Sequence, residues 1–119
     1  MLTFSDSASK ISGNSLLRAT TNNKNNLVNQ INNIYASGGT NYEAAFTAAF
    51  QIFNDTRVDE IGSPCQNIIL FLTDGAVTAG ETNSTILLQK IRNLNNYGNH
   101  NATIFTYGLG NQVTMDILI

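Results

Sequence analysis

Two short stretches carry oxygen atoms where a fold could use them as ligands. Ser37-Gly38-Gly39-Thr40-Asn41 sets a hydroxyl behind a pair of glycines, and Leu72-Thr73-Asp74-Gly75 sets a carboxylate at the end of the apolar run Ile68-Ile69-Leu70-Phe71-Leu72. A hydroxyl and a carboxylate brought to one point suit a hard divalent cation, Mg²⁺ or Ca²⁺. Mg²⁺ takes roughly octahedral oxygen coordination, keeps several waters and needs only one or two carboxylates, which leaves a position for an acidic side chain of a partner. The plain alternative is structural: Thr40 caps a helix and Asp74-Gly75 is a common turn pair. Spacing alone does not separate the two.

Other chemistries find less to work with. His100 stands in an asparagine-rich stretch with no local serine, cysteine or acid to form a catalytic set, and is expected at the surface. Gly108-Leu109-Gly110 lacks the third glycine of a dinucleotide fingerprint, and no phosphate-loop lysine motif occurs. No enzyme is expected. The net charge of −2, with Lys24, Lys90 and Arg92 scattered, provides no basic field for nucleic acid or anionic lipid. The longest apolar run falls far short of the ~18 residues that span a bilayer. Met1-Leu2-Thr3-Phe4 has none of the regions of a signal peptide. Asn54-Asp55-Thr56, Asn83-Ser84-Thr85 and Asn101-Ala102-Thr103 are glycosylation candidates in or beside expected loops and helix ends. They point to a secreted or ectodomain origin, with any leader lying upstream in a longer polypeptide. Cys65 has no second cysteine for an internal disulfide, so it is a buried, idle thiol or a bond to another chain.

The elements that must position Thr40 and Asp74 follow from periodicity. With 119 residues, 42% of them hydrophobic, the chain has room for one domain. Met1 to Phe4 reads as a strand entered midway and turned by Ser5-Asp6-Ser7. Ile11 to Arg18, broken by Gly13-Asn14, predicts a turn and a short edge strand through Leu16-Leu17. Leu27, Val28, Ile31, Ile34 and Tyr35 predict a helix over Asn22 to Tyr35 with one buried face, stopped by Gly38-Gly39. Thr40-Asn41-Tyr42-Glu43 has the form of a capping box opening a second helix, with Tyr42, Phe46, Ala49, Phe50 and Phe53 as its stripe. After the break at Gly62-Ser63-Pro64, Asn67 to Leu72 reads as a strand apolar on both faces, as inside a parallel sheet. Leu87, Leu88, Ile91 and Leu94 mark a helix capped near Thr82-Asn83-Ser84, Thr103 to Tyr107 another strand, and Val113 to Ile119 the start of a last helix. The alternation argues for a doubly wound, mostly parallel, Rossmann-like α/β sheet with flanking helices, whose ligands bind at the carboxyl ends of the strands. Thr40 and Asp74 are expected on that one edge.

Phe4-Ser5-Asp6-Ser7-Ala8, Gly38-Gly39-Thr40-Asn41-Tyr42, Ile68 to Gly75 and Ile104 to Gly110 stand in the order and spacing of a von Willebrand factor type A domain, which the whole chain, residues 1–119, resembles. Leu16-Leu17-Arg18-Ala19, Asn23-Lys24, Asn32-Asn33-Ile34 and Cys65-Gln66-Asn67-Ile68-Ile69 are similar to the α2/δ subunits of voltage-gated calcium channels within that family. The resemblance implies a metal-ion-dependent adhesion site with Thr40 and Asp74 as ligands. It also implies a non-enzymatic, protein-binding function, with a partner's acidic residue completing the metal shell. In the calcium-channel setting that partner is the pore subunit, and Cys65, matching a cysteine of the subfamily, forms an interchain disulfide. The setting is then extracellular or at the cell surface, within a longer membrane-associated protein. The alternatives are a cytoplasmic scaffold, an accessory subunit of an ATP-driven complex, or an inactive fragment.

One departure from the pattern bears on all of these. The family's first metal-binding stretch, an aspartate with serines two and four residues on, has no counterpart: Asp6 has Ala8 and Lys10 at those offsets, and Phe4 to Ala8 corresponds to the end of the second strand. The fold is therefore expected to be incomplete at both ends, with a slot in mid-sheet where the first strand belongs. The divalent cation is expected to bind weakly or not at all to this chain alone.

Overall fold

The computed structural model describes residues 1–58 and 66–110. Among the described residues the order is β1 (Leu2–Phe4), β2 (Ala8–Lys10), α1 (Thr21–Ile31), α2 (Tyr42–Val58), β3 (Ile68–Thr73), α3 (Ser84–Tyr97) and β4 (Thr103–Gly108). β3 and β4 pair in parallel from Ile68↔Thr103 to Thr73↔Gly108, with α3 as the crossover, whereas β1 and β2 form an antiparallel hairpin. The two pairs are not hydrogen-bonded to one another. The architecture is the expected α/β one. The stretch expected as a helix at Val113 to Ile119 lies outside the described residues, as does Cys65.

Local chemistry explains the boundaries. Asn41 caps α2, its Oδ1 accepting the Ala44 N–H at 2.9 Å. The Thr40–Glu43 capping box therefore does not form, and the Glu43 carboxylate is free to reach other elements. Asn83 caps α3 in the same way through the Ile86 N–H at 3.1 Å, and Thr20 caps α1 through Asn23.

The edge strand expected at Leu16-Leu17 is instead β2. The Ser5 N–H donates to the Ser7 carbonyl at 2.9 Å, closing a turn tight enough for Ala8–Lys10 to fold straight back on β1. Leu16 serves another purpose, its N–H donating to the buried Thr56 Oγ1 at 2.7 Å and tying the segment to α2. α1 has the predicted period over a shorter range, but none of its residues is buried. Val28 and Ile31 on α1, and Ile34 and Tyr35 beyond it, present to solvent the apolar face that the period suggested was covered.

The core is aromatic. Phe71 of β3 stacks on Phe46 of α2 with centroids 4.7 Å apart and on Phe4 of β1 at 5.2 Å, and Tyr42 meets its edge at 4.9 Å. Leu87 and Ile91 of α3 close it from the other helix. Only one face of the β3–β4 pair is packed: Ile69, Phe71 and Thr73 turn inward, while Ile68, Leu70 and Leu72 are each more than half exposed. The expectation of burial on both faces does not hold among the described residues.

His100 also departs from expectation. It is 3% exposed and packs between Phe50 and Phe53, with ring centroids 5.4 and 5.5 Å away. Asparagine side chains turn the loop inward by taking over the backbone's bonds. Asn95 both donates to and accepts from Ala102, at 3.0 and 2.8 Å, and the Asn67 amide donates to the His100 carbonyl at 2.8 Å. Asn99 and Asn101 adopt left-handed φ values of 50° and 47°, which asparagine tolerates better than most residues.

A Cβ on Gly98, which caps α3, would run into the His100 ring. Gly98→Ala is expected to destabilise the chain by ~1–3 kcal/mol through overpacking, read as a lowered urea midpoint with unchanged slope.

Candidate metal centre

Three loops meet at the carboxyl ends of β1 and β3: the turn Ser5–Ser7, the segment Ser37–Asn41 leading into α2, and the stretch Asp74–Ala79 after β3. The middle one is held from both sides. From β1, Asp6 Oδ1 accepts the Gly39 N–H at 3.0 Å, the Ser5 carbonyl accepts the Asn41 N–H at 2.8 Å, and the Asp6 carbonyl accepts the Asn41 side-chain amide at 2.9 Å. From beyond β3, Thr78 Oγ1 accepts the Thr40 N–H at 2.8 Å, and the Thr40 carbonyl accepts the N–H groups of Thr78 and Ala79 at 3.0 and 3.3 Å.

These approaches explain the two glycines. Gly38 has a φ of +78°, and a Cβ on Gly39 would lie 2.6 Å from Asp6 Oδ1 and 2.8 Å from Thr78 Oγ1. Side chains there would push the loop off both anchors. The strand end is held too: the Tyr42 hydroxyl donates to the Gly75 carbonyl at 2.7 Å and lies 3.1 Å from Thr73 Oγ1.

The result places the Thr40 hydroxyl 3.5 Å from where a Cβ on Gly75 would stand, next to the residue that follows Asp74. Thr40 and Asp74 both line an open cleft of about 1070 Å³ that runs between β1 and β3. The other candidates lie elsewhere. Asn54 is on α2 with the hydroxyl of its sequon threonine, Thr56, buried and donating to the Ile52 carbonyl at 2.6 Å; Asn83 is the cap of α3; Asn101 is exposed just before β4.

As a cation site the edge fits in kind and falls short in number. Its donors are hard oxygens, as Mg²⁺ or Ca²⁺ requires, but among the described residues no group of three or more His, Cys, Asp or Glu side chains could hold a metal. Thr40 and Asp74 would hold part of a shell. The anchors Asp6 and Thr78 escape a sequence reading because they lie 33 and 38 positions from the residues they bind. The sole local sign of them is the glycine pair.

A fourth connection holds the loop after β3. Glu43, in the first turn of α2, accepts the Glu81 N–H at 3.0 Å through Oε2 and bonds Lys90 of α3 at 2.7 Å through Oε1; the Glu81 carboxylate lies 3.5 Å from the same ammonium. The Lys90 hydrogen bond, outweighing the opposing effect of partial burial, holds the Glu43 carboxyl below its ordinary value, and the same bond raises Lys90.

The arrangement is an α/β fold that gathers loop oxygens at the carboxyl ends of its strands. The chain belongs to the von Willebrand factor type A domain family, whose sequence model matches residues 1–76, a span that includes both Thr40 and Asp74. Among curated proteins it is 36% identical over 105 residues to inter-alpha-trypsin inhibitor heavy chain 4 of Mus musculus, covering 87% of this chain and 11% of that one. It is 34% identical over 106 residues to heavy chain H4 of Bos taurus, covering 87% and 11%, and 25% identical over 121 residues to heavy chain H6 of Homo sapiens, covering 99% and 9%. The chain thus spans about a tenth of the length of these relatives.

The pH dependence follows from the two shifts. A depressed Glu43 contributes stability that is present above the ordinary carboxylate value and lost as pH falls through the lowered one; a raised Lys90 contributes stability lost only as pH rises through its raised value. Glu43→Gln is therefore expected to lower stability at neutral pH and to flatten the acid limb. Thermal midpoints of the two proteins should converge below the carboxylate range.

Proposed function

We propose that this chain is part of a non-enzymatic, extracellular protein-binding module in which Thr40 and Asp74 supply two ligands of a divalent cation and an acidic side chain of a partner supplies another. The observation that carries this is the two-sided anchoring of the Thr40 loop, which sets a hydroxyl beside the strand end bearing a carboxylate. The bound cation would supply a positive centre for the partner's carboxylate. The residues of this chain position two hard oxygens for it and leave room for the rest of the shell.

We take residues 1–119 as part of one such domain. The likeness to inter-alpha-trypsin inhibitor heavy chains supports an extracellular parent, as do the sequons at Asn54, Asn83 and Asn101. It favours a heavy-chain setting over a calcium-channel auxiliary subunit, for which short matches around Leu16 and Cys65 are the support. Glycans found on Asn83 or Asn101 in the native parent would exclude the cytoplasmic scaffold and the ATP-driven complex.

The test is calorimetric titration of Mg²⁺ into the parent polypeptide and into this chain. Each of Thr40→Ala and Asp74→Asn is expected to weaken binding by the parent by about tenfold or more, since a lost charge-assisted contact costs ~1.5–3 kcal/mol. This chain alone should bind weakly or not at all. Tight binding by the short chain would show the ligand set to be incomplete, and unaltered binding by both variants would place the ion elsewhere.

A further inference from the structure

A second recess, of about 540 Å³, runs between α2 and α3 and shares no lining residue with the cleft beside the candidate metal centre. Its floor is apolar: the buried Phe50 and His100 rings, with centroids 5.4 Å apart, and the side chain of Leu94. Its rims carry four exposed side chains, Thr47 and Asn54 from α2 and Asn93 and Tyr97 from α3. None of these four side chains has a hydrogen-bond partner among the described residues. The Tyr97 ring is 89% exposed.

That pattern selects a ligand. Hydroxyls and side-chain amides both donate and accept, so they match a molecule whose own groups do both. An apolar ligand would strip water from them and return no bond. A charged ligand is no better served, because Lys90 and Glu43, which also line the recess, neutralise each other at 2.7 Å. A neutral sugar meets both requirements, with hydroxyls around its edge and a face of C–H groups to lie against an aromatic ring.

The source of the sugar stands on the wall of the recess. Asn54 opens the sequon Asn54-Asp55-Thr56 and is itself a lining residue. We propose that Asn54 carries an N-linked glycan whose first N-acetylglucosamine residues lie in the groove between α2 and α3, against the Tyr97 ring and within reach of Thr47 and Asn93. The donor is a lipid-diphosphate-linked oligosaccharide. Asn54 Nδ2 bonds to C1 of the first sugar as the bond from C1 to the diphosphate oxygen breaks; the diphosphate leaves with the bonding pair, and an amide proton is released. Attachment precedes folding, so the burial of Thr56 in the folded chain is no obstacle. Tethering then strengthens weak contacts, since a sugar fixed at the rim meets the groove at a roughly millimolar effective concentration. Asn54 and Thr47 lie about two turns apart on α2, about 10 Å of wall along which the first sugars extend. The proposal rests on the extracellular reading and not on the cation.

The test uses the full-length parent polypeptide from cells held at oligomannose glycans. Glycopeptide mass spectrometry maps Asn54, Asn83 and Asn101, and an endoglycosidase that cuts between the first two sugars is then applied to native and denatured protein. Asn54 should be occupied, and its release should be slower from native than from denatured protein by about tenfold or more. Tyr97→Ala and Asn93→Ala, both at exposed positions, should each speed native release at Asn54 by about threefold or more and leave the other sites unchanged. Release at Asn54 that is equally fast in both forms, or slow but unmoved by either variant, would overturn the proposal. An unoccupied Asn54 in polypeptide recovered from the medium would overturn this proposal alone, whereas polypeptide retained in the cytoplasm would overturn the extracellular reading with it. Free diacetylchitobiose should not bind the Asn54→Gln parent below roughly millimolar concentration; tighter binding would assign the groove to a glycan from outside and overturn the tethered arrangement.

Discussion

The two halves of the structure are joined by rings rather than by a ladder. β1–β2 and β3–β4 exchange no strand hydrogen bonds, and Phe71 spans the interval by stacking on Phe4 from one half and on Phe46 of α2 from below, with Tyr42 at its edge. An aromatic pair of this kind adds ~0.5–1.5 kcal/mol beyond its buried area, against a total stability of ~5–15 kcal/mol for an ordinary domain. Ring contacts are also less exacting than a ladder: a sliding ring loses little, whereas a shifted strand loses a whole register. The cleft lies along this interval between β1 and β3.

The loops compensate at one end. Ser5, Asp6, Thr78 and Ala79 bond the Gly39–Asn41 segment from either side, so the carboxyl ends of β1 and β3 are linked through a third party even though the strands are not linked directly. Tyr42 connects the two systems, since its ring belongs to the aromatic core while its hydroxyl bonds Thr73 and Gly75. The position of Thr40 therefore depends on core packing, although its side chain lies at the edge of the sheet.

What could be read from the sequence was what short-range physics controls. The strands at Ile68–Thr73 and Thr103–Gly108 and the Asn83 cap of α3 follow from periods, glycines and polar residues within a few positions of each other, and the place of Thr40 and Asp74 beside one cleft follows from the alternation of strands and helices. What escaped depends on distant partners. The period through Val28 and Ile31 identified a helix but not whether anything covers it. The asparagine-rich run around His100 suggested solvent because asparagine is polar. In the fold Asn67 and Asn95 spend their amides on the loop backbone instead, which lets an imidazole enter an aromatic pocket. The strand at Leu16-Leu17 failed for a related reason, because a three-residue turn at Ser5–Ser7 already supplied β1 with its neighbour.

The candidate ligands sit at the mouth of the cleft, one on a loop tied to both half-sheets and the other on the end of β3. Their separation is therefore tied to how β1 and β3 stand relative to one another. A cation whose ligands must hold one geometry would therefore favour one spacing of the two half-sheets, and whatever fixes that spacing must favour the cation by the same factor, since a coupling free energy between two sites is reciprocal.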